Sequence, residues 1–226
     1  MHIIFDRAEL RYGERIALKP LSLELLETRI GVIGLNGSGK TSFARLVNGL
    51  AKPTAGRVTL DGLDTVADAK PVMAATGFIF QNPGNQIILP IVRDDIALGP
   101  KSRGLKGAPL DAAVDAVLHR FGISEIAARR PHELSGGQLQ LAALAAVVVN
   151  RPQLILFDEP TNQLDLKNRG MVKAAIDGLE EQAIVISHDL DLVRDFARVL
   201  VFHEGTLAFD GPGETAIVRY REIAGC

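Results

Sequence analysis

The chain has 226 residues and a net charge of −2, so it can bury a substantial core and has no basic excess that would indicate nucleic acid as its main partner. Residues 1–6 contain no charged region followed by an apolar one, and we expect no signal peptide. The one cysteine, Cys226, cannot form an internal disulfide, which favours a reducing, cytoplasmic location. The most apolar run, residues 139–149, is too short to span a bilayer and indicates a buried helix.

The first third of the chain predicts a small antiparallel sheet, followed by a strand, a glycine-rich loop and a helix. Leu21, Leu23 and Leu25 alternate with polar residues, which is the period of a half-buried strand. We predict strands at residues 2–9, 21–25 and 57–60 for this sheet, an apolar strand at 29–35, and a helix from 40 to about 50.

The remainder predicts helices and then strands that alternate with helices. A strand at residues 76–80 leads to a loop at 81–89, then to helices at 94–98 and 109–121 with a connection at 101–108. Further elements are a helix at 138–149, a strand at 154–157, a helix at 166–179 and a strand at 183–187. Strand, helix and strand in succession indicate a parallel α/β sheet. Because residues 82–137 have no strand signal, we expect a helical subdomain within one domain, residues 1–226.

Residues 34–41, Gly34-Leu35-Asn36-Gly37-Ser38-Gly39-Lys40-Thr41, form what we call the glycine loop, and Ser42 follows it. Glycines let backbone amides turn toward phosphate oxygens, and the amides that begin the next helix add partial positive charge. Lys40 would place its charge at the β- and γ-phosphates, and the Thr41 hydroxyl can bind Mg²⁺. The alternative is a glycine-rich turn with a chance Lys-Thr pair, which the full match directly after an apolar strand disfavours.

Two acids end the strand Leu154-Ile155-Leu156-Phe157. The carboxylate of Asp158 emerges at the carboxyl edge of the sheet, where ligands bind in such folds, and suits Mg²⁺. Glu159 is the candidate that orients and deprotonates an attacking water. Alternatively, both acids only favour the start of a helix after Pro160.

Between the loop and the acids lies Leu134-Ser135-Gly136-Gly137-Gln138, which we call the signature segment. Ser135 can cap the helix that follows, and the two glycines expose free amides at its positive end. One chain therefore carries two helix starts suited to phosphate. On its own this pattern is an ordinary helix cap.

The order of these three motifs resembles the ATP-binding-cassette (ABC) ATPases, and the resemblance extends from Tyr12 to His188. It implies the α/β P-loop NTPase fold of this family, with a mainly parallel core sheet, a small antiparallel β subdomain and a helical insertion. It also implies ATP and Mg²⁺ as cofactors, ATP hydrolysis, and a head-to-tail dimer in which each signature segment closes over the ATP held by the partner's loop. Ser135 and Gly137 would then touch the γ-phosphate of the partner's nucleotide.

Further matches to the family carry implied roles. Tyr12 matches the aromatic residue that stacks on adenine, although a strand aromatic covering the core is the alternative. Gln81 matches the glutamine that senses Mg²⁺ and the γ-phosphate, with a polar loop residue as the alternative. His188 matches the histidine at the γ-phosphate, and Asp165 matches the loop through which the two subunits contact each other.

Among such ATPases, a transporter subunit fits best, because the chain has one glycine loop, one signature segment, no long coiled coil and no zinc-binding cysteines. Residues 80–86 and 90–100 resemble the energy-coupling-factor (ECF) ATPases of vitamin and transition-metal importers. The chain departs from the ECF pattern at three places. Leu139-Gln140-Leu141 stands where basic residues are usual, and Arg93 replaces the expected acid. The sequence also ends soon after residues 203–210, without the C-terminal extension that many relatives have. Biotin is the first expected solute, and cobalt or nickel the next.

The resemblance implies a transmembrane coupling subunit, a substrate-binding membrane subunit, a homodimer of the ATPase, no nucleic acid, and a peripheral location at the cytoplasmic face of the inner membrane. Asp94 and Asp95 match acids that receive basic side chains of the membrane partner, although acids also favour any helix start. Two other classes stay open: a soluble regulatory or mechanochemical ATPase, and a nucleotide-binding module without hydrolysis, against which Glu159 and His188 speak.

Overall fold

A computed structural model of the chain describes residues 1–225; the prediction made for Cys226 lies outside the described residues. The chain divides into two compact units. The first unit comprises Met1–Gly77, Gln153–Glu159 and the segment from Glu181 onward, and the second comprises Phe78–Pro152 and Pro160–Glu180. Each is described by itself.

The elements are numbered in chain order. They are β1 (Ile3–Tyr12), β2 (Arg15–Leu25), β3 (Arg29–Gly34), α1 (Lys40–Val47), β4 (Ala55–Leu60), β5 (Leu63–Asp64), α2 (Ala69–Ala75), β6 (Thr76–Ile79), α3 (Val92–Ser102), α4 (Gly107–Arg120), α5 (Gly136–Val148), β7 (Leu154–Asp158), α6 (Leu166–Asp177), β8 (Gln182–Ile186), α7 (Leu190–Val193), β9 (Arg198–His203), β10 (Thr206–Gly211) and α8 (Gly213–Ala224). Short 3₁₀ turns occur at Pro83–Asn85, Ser124–Ile126 and Pro131–Glu133.

The strands form two sheets. The smaller has the order β2-β1-β4-β5 and is antiparallel. The larger has the order β10-β9-β3-β8-β7-β6, in which β9, β3, β8 and β7 are parallel and the hairpin strand β10 is antiparallel. The strands β7 and β8 are buried along their whole length, which explains why their sequences are almost uninterrupted apolar runs. The predicted α/β class, with a small antiparallel sheet beside a largely parallel one, is confirmed.

Three phenylalanines connect the two sheets in the core of the first unit. The ring of Phe43, on α1, stacks on that of Phe5, on β1, with centroids 4.9 Å apart, and lies 5.3 Å from that of Phe202, on β9. All three side chains are fully buried. Such pairs add roughly 0.5–1.5 kcal/mol to the gain from burial, so this cluster holds the helix behind the glycine loop against both sheets.

The second unit is helical. Its helices α3, α4 and α6 all contact α5. The helix α5 is apolar on nearly every face, and its residues Leu141, Leu144 and Ala145 are buried. A helix that is hydrophobic all round forms the centre of a bundle rather than its surface. Leu141 therefore fills the core of the unit, which accounts for an apolar residue where the resemblance led us to expect a basic one.

Most predicted elements are present, with shifted ends. The helix predicted at residues 94–98 extends over Val92–Ser102 and includes Pro100 in its last turn. The helices α2, α7 and α8 and the hairpin of β9 and β10 were not predicted from the sequence. Within residues 1–225, no helix combines the length and the hydropathy needed to cross a membrane.

Candidate functional site

The glycine loop joins β3 to α1 within the first unit. Gly39 is the N-cap of α1 with φ 108°, and a Cβ there would lie 2.6 Å from the carbonyl oxygen of Ala17. Only glycine satisfies both the backbone conformation and the space. The first amides of α1 have no carbonyl partner within the helix, so they point out of its positive end as donors for an anion.

Lys40 and Thr41 lie at the start of α1. The ammonium of Lys40 is nearly buried and donates to the carbonyl oxygens of Gly34 at 2.8 Å and Leu35 at 3.1 Å. An ammonium has three protons, so one is left for a phosphate oxygen. Burial lowers the pKa of Lys40, while the nearby carboxylates of Glu159 and Asp158 act in the opposite direction.

The carboxylate of Asp158 faces the same helix. Its Oδ1 accepts from the hydroxyl of Thr41 at 3.3 Å, and burial raises the pKa of Asp158 although this hydrogen bond lowers it. A hydroxyl and a carboxylate side by side fit Mg²⁺, which binds few protein oxygens and takes its other ligands from water and phosphate. Residues 1–225 contain no group of three or more acids, histidines or cysteines that could enclose a metal ion.

Glu159, His188 and Asn36 form a second polar group beside the loop. Oε2 of Glu159 accepts from the backbone amide of His188 at 3.0 Å, and Oε1 lies 3.3 Å from Nε2 of His188. The same Nε2 lies 3.0 Å from Oδ1 of Asn36. Burial raises the pKa of Glu159, whereas burial and the charge of Lys40 lower the pKa of His188, which favours a neutral imidazole at pH 7. The sequence patterns had not predicted the contact between His188 and Asn36.

Tyr12 ends β1 and is half exposed. A two-residue turn follows it, so the ring is carried at the tip of the β1–β2 hairpin. Its neighbour across that hairpin is Arg15, a residue that the sequence analysis did not single out.

The signature segment lies in the second unit, at the start of α5. The hydroxyl of Ser135 accepts from the amide of Gln138 at 3.3 Å, and Oε1 of Gln138 accepts from the amide of Ser135 at 3.1 Å. This reciprocal capping box leaves the amides of Gly136 and Gly137 without an intrahelical partner. The helix begins at Gly136, two residues before the predicted start.

Asn168 is a neighbour of the signature segment that the sequence analysis missed. Ser135 donates to Oδ1 of Asn168 at 3.2 Å, and a Cβ on Gly137 would lie 2.3 Å from the same oxygen. Asp165 caps α6 by accepting from the amide of Asn168 at 2.8 Å and from its side-chain nitrogen at 3.0 Å. Asp165 therefore orients Asn168 against the signature segment. In the sequence, the signal for this arrangement was Asp165 as a candidate N-cap three residues before Asn168.

Gln81 lies in the same unit, on the exposed loop after β6. With Leu139, Gln140 and Gln163 it lines a cavity of 440 Å³. Gln140 is buried, and its side-chain nitrogen has no hydrogen-bond partner within residues 1–225. The candidates thus fall into two sets. Tyr12, the glycine loop, Asp158, Glu159 and His188 belong to the first unit, and Gln81, the signature segment and Asp165 belong to the second.

Comparison with known proteins identifies the family. The family model described as ABC transporter matches residues 18–162, more than half of the chain. The chain is an ABC transporter ATPase. This ABC ATPase is 61% identical to the biotin transport ATP-binding protein BioM of Rhizobium etli, over 99% of this chain and 100% of that protein. It is 39% identical to the energy-coupling factor transporter ATP-binding protein EcfA1 of Symbiobacterium thermophilum, over 87% of this chain and 71% of that protein.

A solved structure supports the same assignment. The ABC ATPase superposes on cbiO1 of Clostridium perfringens, described as part of the ABC transporter complex cbiONQ, with a TM-score of 0.87. The sequence identity is 26%, and the match covers 99% of this chain and 93% of that one. The resemblance to ABC ATPases, with ECF-type relatives, is confirmed, and the roles of the individual site residues stay predictions.

Proposed function

We propose that this ABC ATPase is the ATP-hydrolysing subunit of an ECF-type importer and that the imported solute is biotin. The observation that carries the proposal is the 61% identity, over 99% of the chain, to a protein named for biotin transport. The loop pattern at residues 80–100 supports the ECF type independently. Cobalt or nickel is the second expected solute.

In this proposal the first unit holds the nucleotide. Amides of the glycine loop and of α1, together with Ser38 and Ser42, bind the phosphates. The ammonium of Lys40 donates two hydrogen bonds to the carbonyl oxygens of Gly34 and Leu35, and its third N–H donates to a phosphate oxygen. Thr41 and Asp158 would hold Mg²⁺, and the ion would supply positive charge to neutralise the phosphate oxygens.

Glu159 is the proposed base for the attacking water. Burial favours its neutral form, and the raised pKa makes its carboxylate a better proton acceptor than an exposed one. The amide of His188 fixes one carboxylate oxygen, and the imidazole lies between the other oxygen and Asn36. A neutral imidazole has one N–H, so Nε2–H of His188 either holds Glu159 and Asn36 in one arrangement or donates to the γ-phosphate, the role that the family resemblance implies, but not both at once. For Gln81 we keep the role that the family resemblance implies, which is to sense Mg²⁺ and the γ-phosphate.

The second anion site leads us to propose a head-to-tail homodimer. The paired amides of Gly136 and Gly137 and the hydroxyl of Ser135 lie at the positive end of α5. A partner subunit's γ-phosphate is the ligand that the family resemblance gives to this site. Because one chain carries both the glycine loop and the signature segment, two identical chains would complete two ATP sites. Both compact units would then serve as one functional ATPase domain.

We also propose a peripheral location at the cytoplasmic face of the membrane, with a transmembrane coupling subunit and a substrate-binding subunit as partners. The structure changes the expectation for Asp94 and Asp95. Asp95 is buried, and its Oδ1 accepts from the amides of Ile88 at 2.7 Å and Leu89 at 2.9 Å. It is therefore unsuited to pair with a basic side chain of a partner, whereas Asp94 is exposed and suited to do so.

Co-expression tests this proposal against a soluble regulatory ATPase. The chain would be produced with candidate transmembrane and substrate-binding subunits of such an importer, purified through an affinity tag on a membrane subunit, and reconstituted in vesicles with labelled biotin. We expect co-purification and ATP-dependent uptake that Glu159→Gln abolishes. Robust ATP hydrolysis without any co-purification would favour the soluble class. A complex that transports cobalt or nickel but not biotin would keep the importer and change the solute.

A further inference from the structure

The turn between β1 and β2 places two different side chains on one face. The strand β1 ends at Tyr12, β2 begins at Arg15, and these two residues are direct partners in the antiparallel register. Gly13, with φ 60°, supplies the left-handed conformation that a two-residue hairpin turn needs. Directly opposed residues of an antiparallel pair project to the same side of the sheet. An aromatic ring and a guanidinium therefore lie next to each other at the tip of this hairpin.

The guanidinium of Arg15 reaches the glycine loop. A Cβ built on Gly37 would lie 3.4 Å from Nη2 of Arg15, which is van der Waals contact. The backbone of the loop and the end of this side chain are therefore immediate neighbours. Gly37 itself has φ 77°, so it is held in a conformation that other residues seldom adopt.

Arg15 also lacks a neutralising carboxylate in the part of the chain that the structure describes. Some other arginines of this unit have one: for example, Arg11 pairs with Glu9, and Arg198 pairs with Asp210 at 2.8 Å. Arg15 is exposed, and its side chain makes no ion pair or hydrogen bond within residues 1–225. Its permanent charge thus stands unpaired beside a loop whose amides are arranged for an anion.

We propose that Arg15 is a further nucleotide-binding residue, which contacts the phosphate chain of the nucleotide whose base stacks on Tyr12. A guanidinium offers parallel N–H donors that match two phosphate oxygens. The hairpin then binds both ends of one nucleotide, and Arg15 approaches the phosphates from β2 while Lys40 approaches them from α1. This inference rests on the proposed ATP-binding function.

Nucleotide titrations of the full-length chain test the inference. The affinity for ATP would be measured by calorimetry without Mg²⁺, so that hydrolysis does not interfere, at low and at high salt. We expect Arg15→Met to weaken binding about two- to fivefold at low salt, the range for an exposed charge pair, and Arg15→Lys to retain part of the affinity. The loss should shrink at high salt because an exposed charge is screened. Tyr12→Ala should cause a loss that salt changes little.

The control variant is Arg221→Met, which removes the same charge from an exposed position on α8. Equal ATP affinities of the Arg15→Met and Arg221→Met variants at low salt would overturn the inference. So would a loss in Arg15→Met that is the same at both salt concentrations, since this would indicate a disturbed hairpin. If the wild-type chain itself bound no ATP, the proposed function would fail, whereas normal wild-type binding with an unaffected Arg15→Met variant refutes only the role of Arg15.

Discussion

Asp94 and Asp95 are adjacent acids in the first turn of α3. Replacing each by alanine distinguishes the structural role of Asp95 from the exposed charge of Asp94. Asp95 is 7% exposed, and one of its oxygens accepts two backbone hydrogen bonds, from Ile88 and Leu89. These bonds fix the end of the loop at residues 81–89 on the helix that follows it. Asp94 is exposed, and no hydrogen bond or ion pair of its side chain is found within residues 1–225.

The expected cost follows from these contacts. A hydrogen bond to a charged group contributes about 1.5–3 kcal/mol, but Ile88 is 79% exposed, so water replaces part of what Asp95→Ala removes. We therefore expect a loss of about 2 kcal/mol in the free energy of unfolding, a decrease in Tm of about 4–8 °C for a chain of this length. Asp94→Ala loses only the favourable charge at a helix start, worth about 0.3–1 kcal/mol.

Thermal denaturation followed by circular dichroism measures both effects in one buffer. Asp95→Asn is the matched variant, because its amide oxygen still accepts from the two amides, and its Tm should lie between those of wild type and Asp95→Ala. Equal Tm values for Asp94→Ala and Asp95→Ala would show that the two hydrogen bonds do not carry the stability assigned to them. For the importer, Asp94→Ala should weaken co-purification with the membrane subunits while basal ATP hydrolysis stays near that of wild type.

Three predictions concern the nucleotide site. Lys40→Ala should lower ATP hydrolysis by about 10²–10³, because it removes the charge proposed for the phosphates, and circular dichroism would check that the fold survives the loss of its hydrogen bonds to Gly34 and Leu35; near-normal turnover would contradict the role of the glycine loop. Glu159→Gln should raise Tm at pH 8 by about 2–4 °C, because it removes a buried charge that costs about 1 kcal/mol, and this gain should fade as the pH falls through the raised pKa of Glu159, where the wild-type carboxyl is neutral as well. Ser135→Arg should abolish ATP-induced dimerisation in size-exclusion chromatography but leave ATP binding by the monomer; a variant that dimerises normally would argue against the head-to-tail arrangement.

Local patterns were sufficient for the parts of the molecule whose structure depends on neighbours in sequence. The glycine loop, the cap at Ser135 and the apolar runs of β7 and β8 were predicted because turn chemistry, capping and burial act over a few residues. The loop at residues 81–89 was predicted for the same reason. The ends of helices were less accurate: the helix predicted to end at residue 98 continues through Pro100 to Ser102.

Contacts between residues distant in sequence were missed. Asn168 touches Ser135, 33 positions away, and His188 meets Asn36, 152 positions away. The contact of Arg15 with Gly37 was also missed, although the two residues are only 22 positions apart, because it depends on how the β1–β2 hairpin packs beside the glycine loop. Similarly, two adjacent acids at one helix start look alike in the sequence, and only the fold shows that Asp95 turns toward the loop while Asp94 is exposed.

Glu159 shows where local rules and the structure disagree most directly. A residue before proline favours an extended backbone, yet Glu159 has φ 55°, in the left-handed region that side chains of this kind seldom adopt. Such a conformation costs about 1 kcal/mol or more and persists only where the surroundings enforce it. Here the amide of Glu159 donates to the carbonyl oxygen of Ile186 at 2.9 Å, and its carboxylate accepts from the amide of His188. Both restraints come from β8 and the residues directly after it, so the parallel pairing of β7 with β8 is what aims the proposed base at the glycine loop.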